Sequence, residues 1–407
     1  MNVLVLNAGS SSQKSCLYSL DTIDEGMLPC EPVWEAQIDW LPSQKAAKLS
    51  VHTATAGSLE ETVDVRSREK TLAYLLGLLC EGPTQVLADL KEVDIVGHRV
   101  VHGGKDYQES VRVTPDVKAV IKQLSVLAPN HNPANLEGIE LMEEILSEVP
   151  QVAVFDTAFH SQMPEVAFTY PGPYHWRAQG IRRYGFHGIS HRYCAHRAAQ
   201  LLNRPLCELR LLICHLGNGG SLSAVKNGHS IDTTMGFTPL DGLMMGTRSG
   251  AVDPGILIHL MRQGQSAEEI DRLLNKESGI AGISGVSHDM RTIGDAIAQG
   301  NHRAKLAQEL YIHRLKSCIG AMLMSLGGAD ALVFTAGIGE HSPQIRVAVC
   351  KSLEFLGVMI DLEVNEQNPI DRDIAVSDST MNVLVIKTQE DWAIAQDCWR
   401  LLTDSHT

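Results

Sequence analysis

Two short segments combine small residues, amides and hydroxyls in a way suited to binding an anion: Asn7-Ala8-Gly9-Ser10-Ser11-Ser12 and Asn218-Gly219-Gly220-Ser221. Each follows a short apolar run, Val3-Leu4-Val5-Leu6 in one case and Leu211-Leu212-Ile213-Cys214 in the other. At a strand end, glycine lets backbone N–H groups close around an anion because no Cβ holds it away. Either loop alone is a weak signal. Two related strand–loop–strand units in one chain point to a duplicated fold with a phosphorylated ligand held between the halves.

Cations and imidazoles stand beside similar glycines. Arg99 lies in Gly97-His98-Arg99-Val100-Val101-His102-Gly103-Gly104, where a strand runs into a double glycine and a guanidinium can offer a fixed fork of donors to a carboxylate or phosphate. The competing reading is a surface salt bridge, with the nearby Asp106 as partner. Arg248 is the single cation of Thr238-Pro239-Leu240-Asp241-Gly242-Leu243-Met244-Met245-Gly246-Thr247-Arg248-Ser249-Gly250, a segment too rich in glycine for regular structure. Its two methionines read as core filler. Of the 17 histidines, the informative ones are His131, His187, His191 and His215. His187 and His191 are four apart, as metal ligands on a helix would be, but no acidic residue intervenes as in a zinc-protease helix. Phosphate hydrogen bonding suits them better. A third glycine segment, Phe334-Thr335-Ala336-Gly337-Ile338-Gly339-Glu340-His341, also follows a strand and reads as a loop. It lacks a complete dinucleotide fingerprint, and no Walker A sequence occurs, so a bound nucleotide requires another device.

The elements that must position these groups alternate between strand and helix, which predicts an α/β protein. Strands are expected at 3–6, 95–101, 152–155, 211–215, 332–335 and 383–386, and helices at 117–127, 136–145, 192–202, 304–326 and 392–402. Residues 31–65 read as a meander of strands. The 407 residues suffice for two or three domains, and the duplication suggests a first domain at 1–160, joined by the terminal helix at 392–407, and a second at 161–391. A net charge of -14 argues against nucleic acid or an acidic membrane surface, so positive charge at an anion site must be local. The nine cysteines lack metal-ligand or paired spacing; Cys80 and Cys214 read as core residues. Apolar stretches fall short of the roughly 20 residues of a membrane span, and no basic segment precedes a long apolar core at the N-terminus. A cytoplasmic location is therefore expected.

Together with Arg182-Arg183-Tyr184-Gly185-Phe186-His187-Gly188, His131-Asn132-Pro133, His215-Leu216-Gly217-Asn218-Gly219, residues 235–250 and residues 335–340, the first loop resembles the signatures of the acetate kinase family, in order over essentially the whole chain. The resemblance implies two duplicated actin-like ATPase (ribonuclease H-like) domains with an active-site cleft between them. It also implies reversible, Mg²⁺-dependent, direct in-line transfer of the ATP γ-phosphoryl group to acetate, with Mn²⁺ as a possible substitute and ADP and acetyl phosphate as products. By position, Asn7 and Glu390 match the metal-site residues, and Lys14, His215, Leu216, Gly217, Asn218, Gly219, Asp289, Met290, Arg291, Gly337, Ile338, Gly339, Glu340 and His341 the nucleotide site. Arg99, Val101, Phe186 and Pro239 match the acceptor site; Asp156 matches the catalytic aspartate, and His187 and Arg248 the groups that stabilise the transition state. The family likeness further suggests a homodimer formed through the second domain.

Phosphoryl transfer spreads negative charge over equatorial oxygens, so Arg99, Arg248, His187 and Lys14 are donors of the right kind. An acceptor carboxylate, with a pKa of about 4.3, is already ionised at neutral pH. That leaves Asp156 no proton to remove, and fixing Mg²⁺ or orienting an arginine suits it better. Departures from the family pattern are Asn130, where Leu usually lines the methyl pocket, His341 in place of Asn, and Ala251 in place of Asp. Two alternatives stand beside acetate kinase. One is a propionate or butyrate kinase of the same fold, since a methylene discriminates by only about 1–3 kcal/mol. The other is an ATP-driven scaffold without a small acceptor, against which the Arg99, Phe186 and Arg248 set argues.

Overall fold

The computed structural model describes residues 1–8, 12–21, 28–41, 46–55, 57–65 and 67–403. Residues 9–11 of the first glycine–serine loop lie outside them. The chain forms two units, one of Met1–Ala158 with Gln389–Thr407 and the other of Phe159–Thr388.

The first unit carries an eight-stranded sheet of β1 (Asn2–Ala8), β2 (Ser12–Ser19), β3 (Trp34–Trp40), β4 (Ala46–Thr53), β5 (Ser58–Asp64), β6 (Ile95–Val100), β7 (Val111–Arg112) and β8 (Gln151–Phe155). Its order is β5-β4-β3-β2-β1-β6-β8-β7. Strands β1, β6 and β8 are mutually parallel and the remaining pairings antiparallel. The expected meander at 31–65 is thus three strands. At the edge, β5 alternates exposed and half-buried residues, whereas every residue of β8 is buried. Such full burial is what a parallel strand covered on both faces requires.

The second unit repeats this plan with β9 (Arg210–Leu216), β10 (Gly220–Lys226), β11 (His229–Thr233), β12 (Ala331–Thr335), β13 (Arg372–Asp373) and β14 (Asn382–Val385), in the order β11-β10-β9-β12-β14-β13. Here β9, β12 and β14 are parallel, and both sheets end in a two-residue antiparallel edge strand. Apart from the added β4 and β5, the order and direction of the first sheet recur strand for strand, so the duplication expected from the loops is present in the topology.

Each sheet has its own core. Leu4, Leu6, Leu17, Trp34 and Val96 pack with helix Arg68–Gly77 in the first, and Leu212, Cys214, Leu222, Phe334 and Val383 with helix His302–Leu326 in the second. Cys214 is buried as expected, while Cys80 is half-buried. Helix Glu390–Thr403 lies against β6 closely enough that a Cβ on Gly97 would sit 2.5 Å from Cys398 Sγ and 2.6 Å from Ile394 Cγ2. Only glycine permits that approach. No helix among the described residues is long and apolar enough to cross a membrane.

Candidate active site

In the first unit the chemistry gathers at the C-terminal ends of the parallel strands, where open α/β sheets place their ligands. Asn7 is near the end of β1, Arg99 near the end of β6, and Asp156 directly follows β8. The Arg99 Nε donates to Asp156 Oδ1 at 3.3 Å, its Nη2 to Oδ2 at 2.6 Å, and its Nη1 to Asn7 Oδ1 at 3.3 Å. Asp156 is 1% exposed and Arg99 18%. Burial opposes the charge on Arg99, but Asp156 and Glu390 outweigh it and hold the guanidinium protonated. The sequence suggested Asp106 as the partner; that residue is exposed, and the parallel register that sets Val100 beside Phe155 delivers Asp156 instead.

Glu390 opens the terminal helix and is half-buried. Burial pushes its carboxyl up, against the pull of Arg99. Lys14, on β2, lies 2.9 Å from Asp391 Oδ2 and 3.2 Å from Glu35 Oε1, so its charge is neutralised within its own unit. Val101 is buried just beyond β6, its N–H bonded to Asn135 Oδ1, and Asn130 is exposed.

In the second unit the β9–β10 hairpin turns through Gly217, Asn218 and Gly219, closed by a 2.8 Å bond from Gly217 N to Gly219 O. His187 caps helix Gly188–Leu201 in the left-handed region, at φ 57° and ψ 24°. For a residue with a side chain that conformation is strained, and such strain concentrates at functional positions. Its Nδ1 lies 2.9 Å from Ser221 Oγ, and its ring stacks on His215 with centroids 4.2 Å apart. A Cβ on Gly219 would lie 3.2 Å from His187 Nε2 and 3.7 Å from Arg248 Nη1. The hairpin, the imidazole and the guanidinium therefore converge on one point, and glycine keeps it open.

Arg248 donates from Nη1 to Pro239 O at 3.0 Å. Its segment has no regular structure, as the sequence suggested, and is held by backbone bonds from Gly246 N to Asn218 O, Ile280 N to Met245 O and Ala281 N to Gly246 O. Met244 and Met245 are buried, as is Phe186, while Pro239 is half-buried. Among the expected nucleotide residues, Asp289 caps helix Met290–Ala298 and pairs with Arg291 at 2.6 Å, leaving that guanidinium 91% exposed. Met290 packs on the core of the unit.

Residues 336–341 correct the sequence reading. They form a helical turn, Ala336–His341, where an open glycine loop was expected. Ala336 adopts φ 63°. Glu340 Oε1 accepts from the N–H groups of Ala336 at 2.8 Å and Thr388 at 3.0 Å, and Arg346 donates to the carbonyls of Gly339 and Glu340. These bonds tie down both ends of the turn, which propensity alone does not hold. Arg346 is a residue that sequence reasoning missed, although a cation inside the apolar run Ile345-Arg346-Val347-Ala348-Val349 was a signal.

Residues 2–396 match the model of the acetokinase family. The chain is 62% identical over 402 residues to an acetate kinase of Acaryochloris marina, covering 98% of this chain and 99% of that protein. Among solved structures it matches an acetate kinase of Porphyromonas gingivalis at 40% identity and a TM-score of 0.88, and a propionate kinase of Francisella tularensis at 38% and 0.89; each match covers 98% of this chain and 99% of the other. A duplicated α/β fold of this kind, with these relatives, is that of a kinase with the actin-like ATPase architecture. The chain belongs to the acetokinase family.

Proposed function

We propose that this enzyme catalyses reversible, Mg²⁺-dependent transfer of the ATP γ-phosphoryl group to acetate, giving acetyl phosphate and ADP by direct in-line transfer. The observation that carries the reading is the convergence of His187 Nε2 and Arg248 Nη1 on the Gly219 hairpin. Two preorganised donors beside a phosphate-binding turn suit the charge that builds on equatorial oxygens in flight. Arg99 supports the carboxylate acceptor. With three N–H groups directed to Asp156 and Asn7, it keeps one N–H on each terminal nitrogen, the spacing of a carboxylate. Asp156 then acts by orienting Arg99, because both of its oxygens receive that guanidinium and the acceptor needs no general base.

Asn7 and Glu390 offer the hard oxygen donors that Mg²⁺ takes, one or two from protein with phosphate and water completing the shell. When bound, the ion neutralises charge on the transferred group; Mn²⁺ suits the same donors. His215 with the 217–219 turn, Asp289 to Arg291, the 337–341 turn and Lys14 are assigned to ATP, and Val101, Phe186 and Pro239 to the acceptor's apolar end. Helix Pro254–Arg262 exposes Ile256, Ile258 and Met261 and buries none of its residues, which supports a homodimer through the second unit. The enzyme is assigned to the cytoplasm, where its nucleotide is supplied.

A second reading, propionate as acceptor, is favoured by the likeness to the Francisella propionate kinase. An ADP-release assay with acetate, propionate and butyrate in parallel separates them. Acetate should give the highest kcat/KM, a higher value for propionate would exchange the assignment, and activity with none of the acids would overturn the kinase reading for this acceptor class.

A further inference from the structure

His191, which the sequence suggested for phosphate hydrogen bonding, is instead fully buried, and its Nε2 lies 2.7 Å from Ser221 Oγ. The same oxygen lies 2.9 Å from His187 Nδ1. Ser221 is also fully buried, set across from His215 by the β9–β10 register. One hydroxyl thus stands between two imidazole nitrogens, and it carries a single proton.

The direction of these bonds follows from the far side of His191, where Nδ1 is buried without a partner. Burial and the neighbouring rings of His160 and His215, at 5.6 and 6.1 Å, keep this imidazole neutral, so it bears one N–H. A buried N–H with nothing to bond is rarer and more costly than a bare lone pair. The proton therefore belongs on Nε2, which donates to Ser221. Ser221 then has its own proton for His187 Nδ1 alone.

We propose that His191 and Ser221 form a relay that holds His187 Nδ1 as an acceptor and so keeps the His187 proton on Nε2, the nitrogen facing Gly219 and Arg248. The inference rests on the reading that His187 donates to the transferred phosphoryl group. It makes His191 and Ser221 positioning residues for that donor. Without the relay, the Ser221 proton no longer holds Nδ1 as an acceptor, and the other tautomer would turn a bare lone pair toward the phosphate oxygens. Outer partners of this kind commonly change activity by about 10–100-fold.

Long-range ¹H–¹⁵N spectra of the ¹⁵N-histidine enzyme at pH 7.5 read the tautomer without substrate, with His187 and His191 assigned from His187→Gln and His191→Gln. Both rings should carry the proton on Nε2. Ser221→Ala should mix the His187 tautomers and lower kcat by about 10–100-fold, with KM for ATP and acceptor held within about threefold. Ser221→Thr, which keeps the hydroxyl, should recover most of kcat. A wild-type His187 with its proton on Nδ1 overturns the relay, even where Ser221→Ala does not fold. An Nε2–H form with unchanged kcat in Ser221→Ala overturns the positioning role. An Nε2–H form in an enzyme that phosphorylates no short acid leaves the relay standing and removes the proposed acceptor.

Discussion

At the scale of single residues, the proposed site assigns charge stabilisation and positioning to different side chains, and substitutions should separate them. Arg248→Ala removes a donor aimed at the transferred group, so kcat should fall by about 10²–10³ while KM for ATP changes by less than about threefold. Steady-state kinetics with saturating acetate test this, and a loss confined to KM would take Arg248 out of the transition state. Asp156→Asn should behave differently. The bidentate anchor of Arg99 is lost, so KM for acetate should rise by about tenfold and excess Mg²⁺ should restore nothing. Rescue by Mg²⁺ would reassign Asp156 to the metal, and loss of one limb of the pH profile would reassign it to proton transfer.

At the scale of elements, the helical turn Ala336–His341 depends on a residue five positions beyond it. Arg346 is fully buried and is bonded to the carbonyls of Gly339 and Glu340 and to Asn365. Burial pushes its pKa down to about 10, so it remains a cation at neutral pH. Arg346→Met should leave buried carbonyls unpaired at about 1–3 kcal/mol each, lower the thermal midpoint and raise KM for ATP by about tenfold, with KM for acetate unchanged. Kinetics on the two substrates would detect the asymmetry.

The same scale explains what the sequence discloses. The buried parallel strands and helix His302–Leu326 are legible because their apolar content is continuous or periodic over the whole element. Helix Pro254–Arg262 is not, since it carries apolar residues that its own unit does not bury and so lacks an inner face. Helix Ala267–Lys276 is absent from the expected helices, although the capping box of Ser266 and Glu269 and the helical spacing of Ile270, Leu273 and Leu274 signal it. In the site, glycine turns and single cations stand out in the sequence. The pairing of Arg99 with Asp156 does not, because strand register creates it between residues 57 apart. The Arg346 clamp likewise depends on a fold-back onto Asn365.

At the scale of the molecule, buried neutral histidines set the response to acid. Burial holds His98, His102 and His160 at about 4, below the ordinary value of 6.5. Between those values the unfolded chain binds protons that the folded chain does not. Their contribution is therefore complete above about pH 6.5 and is lost as pH falls toward 4, at up to about 1.4 kcal/mol per pH unit for each histidine. Thermal unfolding at pH 7.5 and pH 5 should show the lower midpoint at pH 5, and His98→Gln should reduce the difference.

The path of the chain through its two units has a consequence for synthesis. The first unit is left at Ala158 and completed only by residues from Gln389 onward, so the helix covering Gly97 is made after the whole second unit. A ribosome adding about 5–20 residues per second needs on the order of 10–50 s to traverse the intervening unit. During that interval the β6 face stays open on the nascent chain, and the later-made unit has its last strand, Asn382–Val385, before the first unit has its last helix. Of the two units, the one made first is therefore the one completed second.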